Sequence, residues 1–186
     1  MLCARPVIGD EPFVVILADD LIDAPAGAKG VTAQMTALYE QHGCSILGVQ
    51  DVPRDRTGSY GIVKTASGNG GKLETVEGIV EKPRPEDAPS TLGVVGRYVL
   101  TGRIFDYLAT IGAGSGGEIQ LTDGIAALLA DEKVMAYRYA GTRYDCGDKL
   151  GYLKASLELG RKHPEIGVAF NAYLQNELEQ IMKRNA

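Results

Sequence analysis

Three short charged clusters hold the best-placed chemical groups in this chain. Asp19-Asp20 follow the apolar run at residues 13–17, and Glu81-Lys82-Pro83 follow Gly78-Ile79-Val80. Tyr144-Asp145-Cys146-Gly147-Asp148-Lys149 lies between the strand-like stretch 134–140 and a helical pattern. In an open α/β sheet, ligands bind beyond the carboxyl ends of the strands, so the three clusters are expected around one ligand. Two carboxylates and an ammonium suit a divalent metal and a phosphate. An enzyme of sugar phosphates or nucleotide sugars is the expectation.

Each group also has a plainer role. Asp19-Asp20 is compatible with a solvated turn, but a strand end gives carboxylates a rigid base. Adjacent side chains leave a strand on opposite faces, so one of the two is expected to bind metal directly. Asp145 in Asp-Cys-Gly reads as a simple turn by itself. Paired with Asp19, it supplies the one or two carboxylates that Mg²⁺ usually accepts. Lys82 is either a surface lysine or a point charge for a phosphate. Beside it, Glu81 can accept hydrogen bonds from sugar hydroxyls. Gly61 either lets backbone approach a sugar ring or relieves a tight strand start.

Other candidates are weaker. Residues 112–117 contain GxGxxG, but they follow a helix, whereas a dinucleotide fingerprint follows a strand. His42 and His163 are poorly placed for catalysis. Cys146 has no histidine partner and reads as a structural thiol. A missing nucleophile is no obstacle if the attacking group is a phosphate oxygen. Such an oxygen is already anionic, and charge neutralisation with in-line positioning carries the reaction.

The elements that must hold these groups alternate between strand and helix. Residues 13–17 read as a strand buried on both faces. Val31, Met35 and Leu38 mark a helix closed by Gly43. Strands are expected at 45–52, 60–65, 75–80 and 92–100, with Ser67-Gly68-Asn69-Gly70-Gly71 as a turn. Thr101 is the expected N-cap of a helix carrying Ile104, Phe105 and Leu108. Leu121, Ile125, Leu128 and Leu129 mark another. Two C-terminal helices are separated at His163-Pro164. The pattern is mixed α/β.

With 186 residues and 45% hydrophobic content, the chain suits one domain with a sizeable core. No apolar stretch reaches the roughly 18 residues of a membrane span. Cys3, Cys44 and Cys146 are an odd, scattered set, which points to a reducing cytoplasm rather than disulfides or zinc. A net charge of −5 argues against nucleic acid as a partner. The amphipathic C-terminal helices suit a homo-oligomer.

The chain resembles the bacterial-type UTP–glucose-1-phosphate uridylyltransferases nearly from end to end. Shared motifs are Leu2-Cys3-Ala4-Arg5-Pro6, Ile16-Leu17-Ala18-Asp19-Asp20, Tyr60-Gly61-Ile62-Val63 and Val80-Glu81-Lys82-Pro83. The more specific strings are Gly117-Glu118-Ile119-Gln120-Leu121-Thr122-Asp123 and Tyr144-Asp145-Cys146-Gly147-Asp148-Lys149-Leu150-Gly151-Tyr152. The resemblance implies a nucleotide-diphospho-sugar transferase fold, Rossmann-like, with a mixed sheet and helices on both faces. It further implies Mg²⁺-dependent conversion of UTP and glucose 1-phosphate to UDP-glucose and pyrophosphate. Asp19 and Asp145 match metal carboxylates, with Asp19 and Lys82 as catalytic positions. Gly61, Glu81 and Lys82 match substrate-binding positions, and Glu118 lies in a motif near the sugar pocket. By the same resemblance, residues 1–186 form the C-terminal part of one domain, including helices at 149–183. The family's glycine-rich nucleotide loop is not among them, so weak or no activity is expected from this chain by itself. Two alternatives stay open: a non-catalytic sugar-nucleotide-binding or assembly module, and a metal-dependent glycosyltransferase of related fold.

Overall fold

Side-chain alternation along Ser45–Asp51 builds both halves of a core. Ile46 joins Val31, Met35, Val99 and Met135 in one buried cluster, whereas Leu47 and Val49 join Phe105, Leu108, Ile125 and Leu128 in another. A period of two sends neighbours to opposite faces of a sheet, and here each face meets helices. The structure is a computed structural model that describes residues 1–66, 70–112, 114 and 117–184. The turn expected at Ser67-Gly68-Asn69 lies outside the described residues. So does half of the glycine-rich loop 112–117, at Ala113, Ser115 and Gly116.

The strands are β1 (Phe13–Ile16), β2 (Asp20–Asp23), β3 (Ser45–Asp51), β4 (Gly61–Thr65), β5 (Leu73–Glu81), β6 (Leu92–Leu100), β7 (Val134–Arg138) and β8 (Thr142–Asp145). The helices are α1 (Arg5–Ile8), α2 (Val31–His42), α3 (Ile104–Thr110), α4 (Leu121–Leu128), α5 (Lys149–Lys162) and α6 (Gly167–Arg184). Among the described residues, six strands form one sheet in the order β1-β6-β3-β7-β5-β4, and β2 pairs with β8 in a separate two-stranded sheet. The large sheet is mixed, as expected: β3 and β7 run parallel, and β1–β6, β3–β6, β5–β7 and β4–β5 run antiparallel. The register slips at Gly48, where a Cβ would lie 3.0 Å from the Arg97 carbonyl oxygen. Glycine is therefore the residue that permits this bulge.

The chain divides into two compact units, Met1–Ala18 with Ile22–Thr142, and Asp19–Leu21 with Arg143–Ala186. In the first, α2 ends at Gly43 in the left-handed conformation, as its sequence predicts. Two expectations need correction. β1 is not buried on both faces: among the described residues it is an edge strand paired with β6, and Val14 and Ile16, on one face, are exposed. Thr101 does not cap α3 through its side chain, because its hydroxyl donates to Glu132 Oε2 at 2.8 Å and the helix begins at Ile104. Residues 2–8 are helical, with Pro6 in the first turn of α1.

A buried ion pair ties β5 to β7. Glu74, its side chain 1% exposed, is paired with Arg138 Nη1, and its other oxygen accepts from Thr65 Oγ1 at 2.7 Å. Burial draws the Arg138 pKa down, but hydrogen bonds to Glu74 and Asp51 outweigh it and leave the pKa raised. Arg138→Met should strand a buried carboxylate and cost about 3 kcal/mol. For a chain of this size that lowers the melting temperature by roughly 6–12 °C, which a thermal-shift measurement checks.

In the second unit, Asp148 caps α5 by accepting the Gly151 N–H at 3.0 Å. His163 is extended, as a residue before proline prefers, and ends that helix. α6 then packs on α5, where a Cβ at Gly160 would lie 2.8 Å from the Phe170 ring. No described helix is long and apolar enough to cross a membrane.

Candidate functional site

The candidate residues other than Glu118 fall into two clusters. The first is built where β4 and β5 pair, with Gly61 opposite Glu81. Glu81 Oε2 accepts a hydrogen bond from Thr122 Oγ1 at 2.6 Å. A Cβ on Gly61 would lie 3.2 Å from that hydroxyl and 3.4 Å from Glu81 Oε2. Gly61 thus leaves room for the Thr122–Glu81 contact, which holds the carboxylate in one orientation. Lys82 ends the strand with φ of 43°, the sole positive φ at a non-glycine among the described residues. Such a conformation costs on the order of 1–3 kcal/mol and persists where the surroundings enforce it. Here the Lys82 N–H donates to the Tyr60 carbonyl at 3.0 Å, fixing the turn. The side chain is mostly exposed, and Nζ lies 3.6 Å from Glu81 Oε1. An anchored carboxylate next to an available ammonium can accept hydroxyl hydrogen bonds and neutralise a phosphate.

Glu118 is exposed and lines a largely apolar cavity of about 460 Å³ with Leu2, Cys3, Leu17 and Ile119. The hydrogen bonds around Glu81 do not include it. Thr122 is the residue that sequence reasoning missed here: it lies in a quoted motif, but its contact with Glu81 spans 41 positions.

The second cluster lies where the chain passes residues 19–21 and 143–148. The Asp19 carbonyl accepts the Cys146 N–H at 2.7 Å, which brings the two segments together. The adjacent aspartates then diverge. Asp20 is buried and ion-paired with Arg143 Nε, whereas Asp19 faces Gly147. Asp145 Oδ1 accepts the Gly147 N–H at 3.1 Å. A Cβ placed on Gly147 would lie 3.1 Å from Asp19 Oδ2 and 3.2 Å from Asp145 Oδ1. Both carboxylates therefore approach the position that a Gly147 Cβ would take, which glycine leaves clear. A Cβ on Gly151 would overlap the Asp145 carbonyl, so the first turn of α5 fits directly against the Asp145 backbone. Cys146 is a free, partly buried thiol near its own loop's Tyr144 carbonyl.

No three His, Cys, Asp or Glu side chains converge as a metal cage among the described residues. Mg²⁺ takes one or two protein carboxylates and leaves its other positions to phosphate and water, so Asp19 and Asp145 are the candidates for such an ion.

A family model described as "Nucleotidyl transferase" matches residues 1–180. The UTP–glucose-1-phosphate uridylyltransferase YngB of Bacillus subtilis is 44% identical over 183 residues, covering 98% of this chain and 60% of that protein. A UTP-bound UGPase structure from Acinetobacter baumannii is similar at 42% identity with a TM-score of 0.81, covering 94% of this chain and 59% of that one. A UDP-glucose pyrophosphorylase complexed with UDP-glucose aligns at 39% identity and a TM-score of 0.81, over 87% and 61% of the two chains. The chain thus spans about 60% of the length of the relatives it matches.

Proposed function

Because the chain belongs to the nucleotidyl transferase family, we propose that it serves uridylyl transfer from UTP to glucose 1-phosphate, giving UDP-glucose and pyrophosphate. The observation that carries this reading is the 44% identity to a uridylyltransferase across nearly the whole chain. In this reaction a phosphate oxygen of the sugar attacks the α-phosphorus of UTP, the α–β phosphoanhydride bond breaks, and pyrophosphate leaves. No proton need be removed from the nucleophile, in keeping with clusters that offer charge and no histidine base.

In this reading Lys82 neutralises the phosphate of glucose 1-phosphate, and Glu81 accepts hydrogen bonds from the sugar hydroxyls beside Gly61. Glu118 contributes to the sugar-binding segment. Asp19 and Asp145 hold Mg²⁺, which when bound neutralises phosphate charge. The reading includes a cytoplasmic setting, in keeping with three free cysteines. It also includes a homo-oligomer, in keeping with exposed Leu153, Val168 and Met182 on α5 and α6.

Thr122→Val keeps the shape but removes the donor to Glu81. A hydrogen bond to a charged group is worth about 1.5–3 kcal/mol, so the KM for glucose 1-phosphate should rise roughly tenfold or more. Steady-state kinetics should show little change in the KM for UTP.

The two clusters offer charged and hydrogen-bonding groups and no histidine, which leaves a second reading, a module that binds sugar nucleotide without turnover. Calorimetry with UDP-glucose and Mg²⁺, set beside pyrophosphate release from UTP and glucose 1-phosphate, decides between them. Binding with pyrophosphate release supports the transferase. Binding without release selects the module, and the absence of both overturns both readings.

A further inference from the structure

We infer that Arg143 is a positioning residue that aims the Asp145 carboxylate, with buried Asp20 as its anchor. The inference rests on the reading of Asp145 as a metal ligand. The Arg143 side chain is 10% exposed, and Nε is ion-paired with Asp20, which is 7% exposed. A second arm, Nη2, reaches Asp145 Oδ2 at 3.4 Å. The opposite oxygen, Oδ1, accepts the Gly147 N–H at 3.1 Å. Asp145 is therefore held at both oxygens, although its side chain is 42% exposed. A half-exposed aspartate otherwise samples several rotamers and must lose that freedom when an ion binds. Each of its oxygens keeps a further lone pair for a cation.

The arrangement depends on the shape of arginine. A guanidinium presents five donors in a planar fork and can engage two carboxylates through separate nitrogens. An ammonium supplies the same charge from one point. Buried Asp20 supplies the fixed end of this clamp, giving the second aspartate of the pair a role that metal ligation does not. Partners of this type commonly change metal affinity 10–100-fold when removed.

The test is Mn²⁺ binding in the presence of UDP-glucose, read as the loss of the free-Mn²⁺ paramagnetic resonance signal, with melting temperature measured in parallel. Arg143→Lys retains charge for Asp20 but loses the fork, and is expected to weaken Mn²⁺ binding about tenfold with little change in melting. Asp20→Asn, which loosens the anchor, should weaken it several-fold by the same route. Adding Arg143→Lys to Asp145→Asn should cost less than twofold more, because the substitution then has no carboxylate to misplace. Native-like Mn²⁺ affinity in both single variants overturns the inference, as does a full tenfold further loss in the double variant. Native-like affinity in Asp145→Asn is a different result: it overturns the reading of Asp145 as a ligand.

Discussion

Asparagine at Asp19 or Asp145 is expected to lower uridylyl transfer by about 10³-fold while the fold persists. The change deletes one negative charge and preserves shape, and a bound metal contributes several kcal/mol of charge stabilisation to phosphoryl chemistry. About 4 kcal/mol corresponds to that factor. Neither residue contributes to the apolar clusters of the first unit, and the Asp145 side chain is half-exposed. Melting should thus shift by little more than a degree or two. Turnover measured across a Mg²⁺ series separates the possibilities. The variants should need higher Mg²⁺ and show a lower plateau; an unchanged Mg²⁺ dependence would remove both residues from metal binding.

Lys82→Ala should lower kcat/KM for glucose 1-phosphate by about 10²–10³-fold, the usual loss when one charge-stabilising donor is removed from a phosphate or oxyanion. Lys82 is mostly exposed and its ion pair with Glu81 is a 3.6 Å approach, so stability should hardly change. The left-handed backbone at this position relaxes no further with alanine, which meets the same steric restriction. The effect should fall on the sugar phosphate, with UTP affinity nearly preserved. An equal loss for both substrates would contradict the assignment. Glu81→Gln offers a milder companion: it keeps the acceptor but loses the charge, and should mainly reduce discrimination among sugars.

Much of the scaffold was legible from local signals. β6 spans the expected residues 92–100, and Gly43 ends α2 where a glycine after an apolar-periodic segment belongs. The charged clusters were legible because composition changes sharply where strands stop. What stayed hidden depended on partners distant in sequence. An apolar run such as residues 13–17 does not reveal whether one or both faces are covered, so the exposure of Ile16 was missed. The strands β2 and β8 have four residues each, too few for a clear period, and the Asp20–Arg143 pair joins positions 123 apart. Thr101 had the chemistry of a cap, but Glu132 took its hydroxyl. Thr122 and Arg143 follow the same rule. Residue type shows what they can bind, and only the fold shows that they hold Glu81 and Asp145.

Anomalous diffraction from crystals grown with UDP-glucose and Mn²⁺ tests the central claim most directly. One Mn²⁺ peak is expected beside Gly147, with carboxylate oxygens of Asp19 and Asp145 both coordinated to it at about 2.0–2.3 Å. A peak coordinated by neither aspartate, or two carboxylates too far apart to share an ion when UDP-glucose is bound, would contradict it.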